Sequence, residues 1–131
     1  MGWLLRLRML STRFCVERHE RVPDGAWVAV VRAPEGVTVV REAGPRTGQA
    51  ERWAGVYDAD AGHGLDVPGL LASVVAPLAG ARVPVFVVST YDADLVLVPE
   101  LRMDDAAVAL EEAGHEVVQP AVAWSAAPET R

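Results

Sequence analysis

Leu5, Leu7 and Met9 alternate with Arg6, Arg8 and Leu10 near the start of the chain. A two-residue period of this kind marks a half-buried strand. Phe14–Arg18 reads as a second short strand, and Val22-Pro-Asp-Gly as a turn. In WVAVVRAPEGVTVVRE, β-branched runs at 27–32 and 37–42 flank Ala33-Pro-Glu-Gly. That predicts a hairpin with a four-residue loop. The polar, glycine-rich EAGPRTGQAER that follows reads as a linker.

The rhythm then changes. Trp53–Tyr57 is a short apolar strand and DADAGHGLD a loop. Asp66 is a candidate N-cap and Pro68 a first helical residue, ahead of apolar Leu70, Leu71, Val74, Val75 and Leu78. Pro77 should kink or shorten this helix, and Gly80 should end it. Val83–Ser89 and Leu95–Val98 read as buried strands joined by Thr90-Tyr-Asp-Ala-Asp. A second helix, 102–113, carries Met103, Ala106, Ala107 and Leu110 on one face, and Gly114 supplies its left-handed stop. Residues 116–119 form a last strand. The order from residue 53 is strand, helix, strand, strand, helix, strand. The fold class is therefore α+β, a ferredoxin-like βαββαβ unit with both helices on one face of its sheet. The N-terminal strands are expected to cover the other face. The domain reading is a mostly β half at 1–48, the βαββαβ unit at 49–120 and a flexible tail at 121–131.

Composition narrows the function. The chain has 131 residues, a net charge of -6 and twelve arginines without a lysine. The arginines are scattered, so a nucleic-acid partner lacks its electrostatic footprint. Arginines interrupt the apolar N-terminus, and no stretch reaches membrane-spanning length, which points to a cytoplasmic protein. One cysteine, Cys15, excludes an internal disulfide. His19, His63 and His115 are dispersed without metal-ligand spacing, and Ser89 lacks a nucleophile-elbow frame. The expectation is a protein with no catalytic residues, no metal and no cofactor. His115, just past a helix end, is expected to complement the helix dipole.

The tetrapeptide YDAD occurs twice, at Tyr57–Asp60 and Tyr91–Asp94. The first copy runs into Ala-Gly-His-Gly; with His63 it could hold a divalent metal, but a glycine-rich loop fixes ligands poorly. The second copy joins two apolar strands. WVAVVRAPEGVTVV (27–40) and VFVVSTYDADLVLV (85–98) also align without a gap, each a strand, an acidic turn and a strand.

VPVFVVSTYDADLVLV, followed by an amphipathic helix ending in EEAGHEV, resembles the second unit of small tandem ACT-domain proteins. LDVPGLLASVVAPLAGARVPV resembles that unit's first loop, helix and strand, and the N-terminal part is similar to a degenerate ACT-like half. The resemblance implies a regulatory protein that binds an amino acid between the two halves or between subunits. Relatives include arginine sensors and the regulatory units of aspartate kinase. It implies ligand contacts from Thr90, Tyr91, Asp92 and Asp94, from Asp66, Val67, Gly69 and Leu70 at the helix start, and from Thr38 and Val39 on the other half. Ala33-Pro-Glu-Gly-Val-Thr-Val-Val departs from the acidic–leucine pattern usual there. A homodimer and a regulated protein partner are further expectations. The alternatives are a ligand-free interaction module and a metal enzyme built on Asp58, Asp60 and His63.

Overall fold

The computed structural model describes residues 3–58, 68–118 and 123–124. Seven strands form one sheet: β1 (Arg6–His19), β2 (Ala29–Ala33), β3 (Gly36–Glu42), β4 (Trp53–Tyr57), β5 (Phe86–Val87), β6 (Leu95–Pro99) and β7 (Glu116–Val118). Two helices, α1 (Leu70–Gly80) and α2 (Met103–Glu112), complete the α+β fold. The strand order is β2-β3-β1-β4-β6-β5, antiparallel throughout, with β7 beside β1 in parallel. The sheet curls into a half-barrel, and the helices cover its convex face.

This topology corrects the ferredoxin-like expectation. There the last strand would lie against β4. Here β1 occupies that place, pairing with β4 on one side (Arg8 opposite Tyr57, Phe14 opposite Trp53). Its other side takes β7 at Arg6–Arg8 and β3 from Phe14 to His19. The two short N-terminal strands expected from the sequence are one strand of 14 residues. A bulge disguised its continuity. Between Met9 and Arg13 the chain takes four steps while β4 takes two, from Val56 to Ala54. The two extra residues preserve the alternation of faces. Arg13 turns back to hold the bulge, its Nη1 donating to Leu10 O at 3.1 Å while its Nε pairs with Glu100 at 2.8 Å.

Each face has its own core. On the helix side Leu7, Met9, Val56 and Val96 meet Val74, Leu78, Ala106 and Leu110. On the concave side Leu10, Phe14, Val40, Leu95 and Leu97 gather, with Trp53, Tyr57, Phe86 and Trp124 packed against them. Curling brings Val28 and Ala29, before and on β2, into the same cluster as Phe86 and Val88, so the sheet largely covers its own inner face. Gly55 allows the tightest packing. A Cβ there would stand 3.0–3.1 Å from Leu10, Leu95 and Phe14, space that a side chain would have to share.

Local chemistry moved several boundaries. The β2–β3 loop has two residues, not four: Ala33 already pairs with Gly36, leaving Pro34 and Glu35 at the tip. Gly36 takes φ +147°, which a side chain would resist. The linker contains a short 3-10 turn, Gln49–Glu51, and Arg52 bonds back to the Thr47 and Gly44 carbonyls. Helix α1 starts at Leu70 with Gly69 as N-cap (φ 86°), two residues after Pro68; Asp66, the expected cap, lies outside the described residues. Gly80 is still helical, and Arg82 makes the left-handed stop at φ 59°. The Val83 N–H reaches Leu78 O and the Arg82 N–H reaches Ala79 O, the Schellman pattern. Gly114 does the same for α2, as the sequence predicted: its N–H bonds Glu111 O, and that of His115 bonds Leu110 O.

Candidate functional site

The second YDAD copy forms the tip of the β5–β6 hairpin. Val88 N–H bonds Leu95 O at 2.7 Å, and Thr90 N–H bonds Ala93 O at 2.8 Å, which leaves Tyr91 and Asp92 at the apex. Thr90 shapes this turn: its Oγ1 accepts from the Asp92 and Ala93 N–H groups at 3.2 and 3.0 Å. A threonine hydroxyl can replace a backbone acceptor in this way. Tyr91 is 72% exposed and Asp92 also faces solvent.

Asp94 differs from Asp92. It is only 8% exposed, and its Oδ1 accepts from Ser89 Oγ at 2.6 Å. Its neighbour is the first YDAD copy. Asp58, 2% exposed, accepts the Asp94 N–H on Oδ1 at 2.6 Å, and the Asp58 N–H points to Asp94 O at 3.4 Å. Tyr57 pairs with Leu95 across β4 and β6, so the aspartates that follow one and precede the other must meet. The sequence predicts a loop from Asp58 onward, yet Asp58 itself is buried and braces the second copy. Asp60 and His63 lie outside the described residues. Among the described residues no group of three or more His, Cys, Asp or Glu side chains could hold a metal ion.

The same end of the sheet carries the start of α1. Gly69 is the N-cap of this helix and, as a glycine, offers no side chain to its first-turn N–H groups. Helix N–H groups and the positive end of the helix dipole favour a carboxylate. The N-terminal segment reaches here too, as Trp3 Nε1 donates to Pro68 O at 3.1 Å. Val67, like Asp66, lies outside the described residues.

Residues behind this end hold it in place, and sequence reasoning missed how. His115 is 5% exposed. Its Nδ1 accepts from the Leu5 N–H at 3.0 Å, so Nε2 carries the proton and donates to Ser73 O at 2.7 Å. Ser73 O is the carbonyl that Pro77, lacking an N–H, cannot bond. The helix's proline therefore creates the acceptor that His115 fills, and the ring ties α1, the end of α2 and the approach to β1 together. The expected role for His115, complementing the helix dipole, gives way to this cross-link. The signal was present in the sequence as a helical proline four residues after Ser73, but its partner is 42 residues away.

Thr38 and Val39 stand apart. Thr38 pairs with Arg18 near the end of β1, whereas Asp94 adjoins the Tyr57–Leu95 pair, level with Arg8 near its start. Thr38 lines a separate shallow cavity of about 250 Å³ with Val16, Arg18 and Phe86. Val39 is fully buried. Nearby, Glu17 links Cys15, His19 and Arg41 (3.7, 2.8 and 3.0 Å). Burial, then the Glu17 charge, pushes the Cys15 thiol above its ordinary value. A thiol so held is a poor nucleophile.

Comparison with known proteins agrees with this architecture. The protein resembles the crystal structure of Atu0741 from Agobacterium tumefaciens, with a TM-score of 0.72 and 22% identity over 98% of this chain and 100% of that one. It also resembles VC0802 from Vibrio cholerae, described as a protein of unknown function and possible transport protein. That likeness has a TM-score of 0.61 and 21% identity over 79% of this chain and 85% of that one. At these identities the likeness establishes the fold, N-terminal strands included. No curated protein matches the sequence. No helix among the described residues is long and apolar enough to cross a membrane. The ACT domain family matches residues 50–112, from the turn before β4 to the last residue of α2; the chain carries an ACT domain in its C-terminal half.

Proposed function

We propose that the protein is a non-catalytic sensor that binds an amino acid at the end of the sheet bearing Gly69 and Asp94. The observation that supports this is Asp94 itself, a buried carboxylate held by Ser89 and set by Asp58. It lies at the end of the sheet from which α1 starts with a glycine as its N-cap. The two features complement an α-amino acid: the ligand carboxylate on the helix N–H groups, its ammonium on Asp94. Gly69 lets the ligand approach the backbone, and Tyr91, at the exposed apex, supplies an aromatic wall. Under this reading Thr38 is too distant to complete the pocket within one chain, and in a homodimer a second subunit would supply it; Val39, fully buried, packs the sheet instead. Binding favours the conformation that holds the ligand, and a partner protein reads that shift.

Thermal-shift and calorimetric titration against the twenty amino acids and divalent metals tests the reading. A response to one amino acid, lost in Asp94→Asn, supports it. A metal response lost in Asp58→Asn would replace it with a metal enzyme. Silence toward every compound would leave an interaction module.

A further inference from the structure

We propose that the concave face of the half-barrel is a second binding site, for a planar aromatic group, and that Trp124 is its resident occupant. Ala123 and Trp124 belong to no helix or strand. Trp124 nevertheless lies against the inner face of the sheet. Its ring meets Tyr57 edge-on, with centroids 5.3 Å apart at 82°, and Phe14 at 6.2 Å and 76°. Its backbone N–H donates to Thr12 Oγ1 at 2.9 Å, across 112 residues of sequence.

The walls of this slot belong to the sheet. Phe14 and Thr12 stand on β1 and Tyr57 on β4. Phe14 is fully buried beside Leu10, Leu95 and Leu97, and Tyr57 and Trp124 pack against that cluster. Ring edges directed at a ring face are the arrangement that aromatic quadrupoles favour. The sheet therefore presents an aromatic slot with a hydroxyl acceptor at its rim, and a residue from outside the sheet fills it. A ligand with an indole and an adjacent N–H donor reproduces both described contacts of Trp124. Free tryptophan has both features; indole has the ring alone. The slot shares no residue with the proposed Gly69–Asp94 site and does not depend on that reading.

Calorimetry with free tryptophan and with indole, on the full chain, tests the proposal. In the wild type, tryptophan should bind saturably but weakly, because it must displace Trp124, and the Trp124 amide should exchange faster when it does. Trp124→Ala removes the internal competitor and should tighten both ligands at least tenfold. Adding Thr12→Val should cost tryptophan several-fold and leave indole unchanged. Asp94→Asn should alter none of this. Should Trp124→Ala not fold, Trp124→Leu carries the same comparison with a smaller occupant. Equal affinities in wild type and variant would overturn the proposal. So would binding by the variant alone, which would mark an artificial cavity rather than a native site.

Discussion

The two faces of the sheet solve the same problem differently. The convex face is covered by α1 and α2, whose buried Val74, Leu78, Ala106 and Leu110 meet strand residues already in register. Among the described residues no helix lies over the concave face. It relies on curling, which brings the β2 end of the sheet toward Phe86 and Val88, and on Trp124 from beyond the last strand. A helix layer is fixed by many contacts along its length. A self-covering sheet has fewer such contacts, and among the described residues Trp124 adds to them from outside the sheet.

The sharpest way to break this contrast is to hollow out each face in turn. Leu110→Ala removes a fully buried side chain under the helices and should cost about 3–4 kcal/mol in denaturant unfolding, as large-to-small core changes do. Next in size is His115→Ala, which strips partners from the Leu5 N–H and Ser73 O and should cost about 2–3 kcal/mol. His115→Gln, able to both accept and donate, should recover part of the loss. Trp124→Ala on the concave side should cost only about 1–2 kcal/mol, since the ring is half-buried and leaves an open slot rather than a sealed cavity. If it cost as much as Leu110→Ala, the two faces would be equally closed and the contrast would fail.

The smallest effect concerns β1 near Cys15, beside the Gln49–Glu51 turn. Cys15 there has its pKa raised above 9.0, by burial first and by the Glu17 charge second. An acid whose pKa is higher in the folded state contributes stability below its unfolded value and loses it as pH rises through the folded value. Stability should therefore decline slightly above pH 9, and Cys15 should alkylate more slowly than a free cysteine at pH 8. Glu17 has the opposite sign: its hydrogen bond from His19, followed by the Arg41 charge, lowers its pKa. Its small contribution is lost as pH falls through that lowered value. Glu17→Gln should weaken both dependences.

Much of the fold was legible because period and turn chemistry are local. Trp53–Tyr57, the β2–β3 hairpin, both helices and the Gly114 stop all follow from spacing. What escaped is non-local. Nothing in the alternation of residues 5–10 shows that β1 runs unbroken to His19 through a bulge, because its support is Arg13 reaching Glu100. Nor could the order of strands reveal that β1, rather than β7, lies against β4. The candidate site was legible in part. The place of the second YDAD between two apolar strands is legible, but the burial of Asp94 is not. The role of Asp58 depended on which strands pair, and that pairing spans 36 residues between Asp58 and Asp94. Thr38 and Val39 enter only through the family resemblance, which carries no information about which end of this sheet each occupies.

The insertion of β1 between β4 and β7 has a consequence for how the chain comes to fold. β1 is the strand on which β7, more than a hundred residues later, closes, with Leu7 opposite Val117. Its Leu7 and Met9 also supply part of the core beneath the helices. No piece cut between the N-terminal strands and residues 50–112 would retain a complete hydrophobic layer. On the ribosome the later part of β1 can pair with β3 as soon as that strand emerges, but its other edge must wait for β4, and its Arg6–Arg8 stretch for β7, which follows both helices. Long-range closure of this kind slows folding. It also ties the ACT domain to the strand before it through shared sheet and shared core.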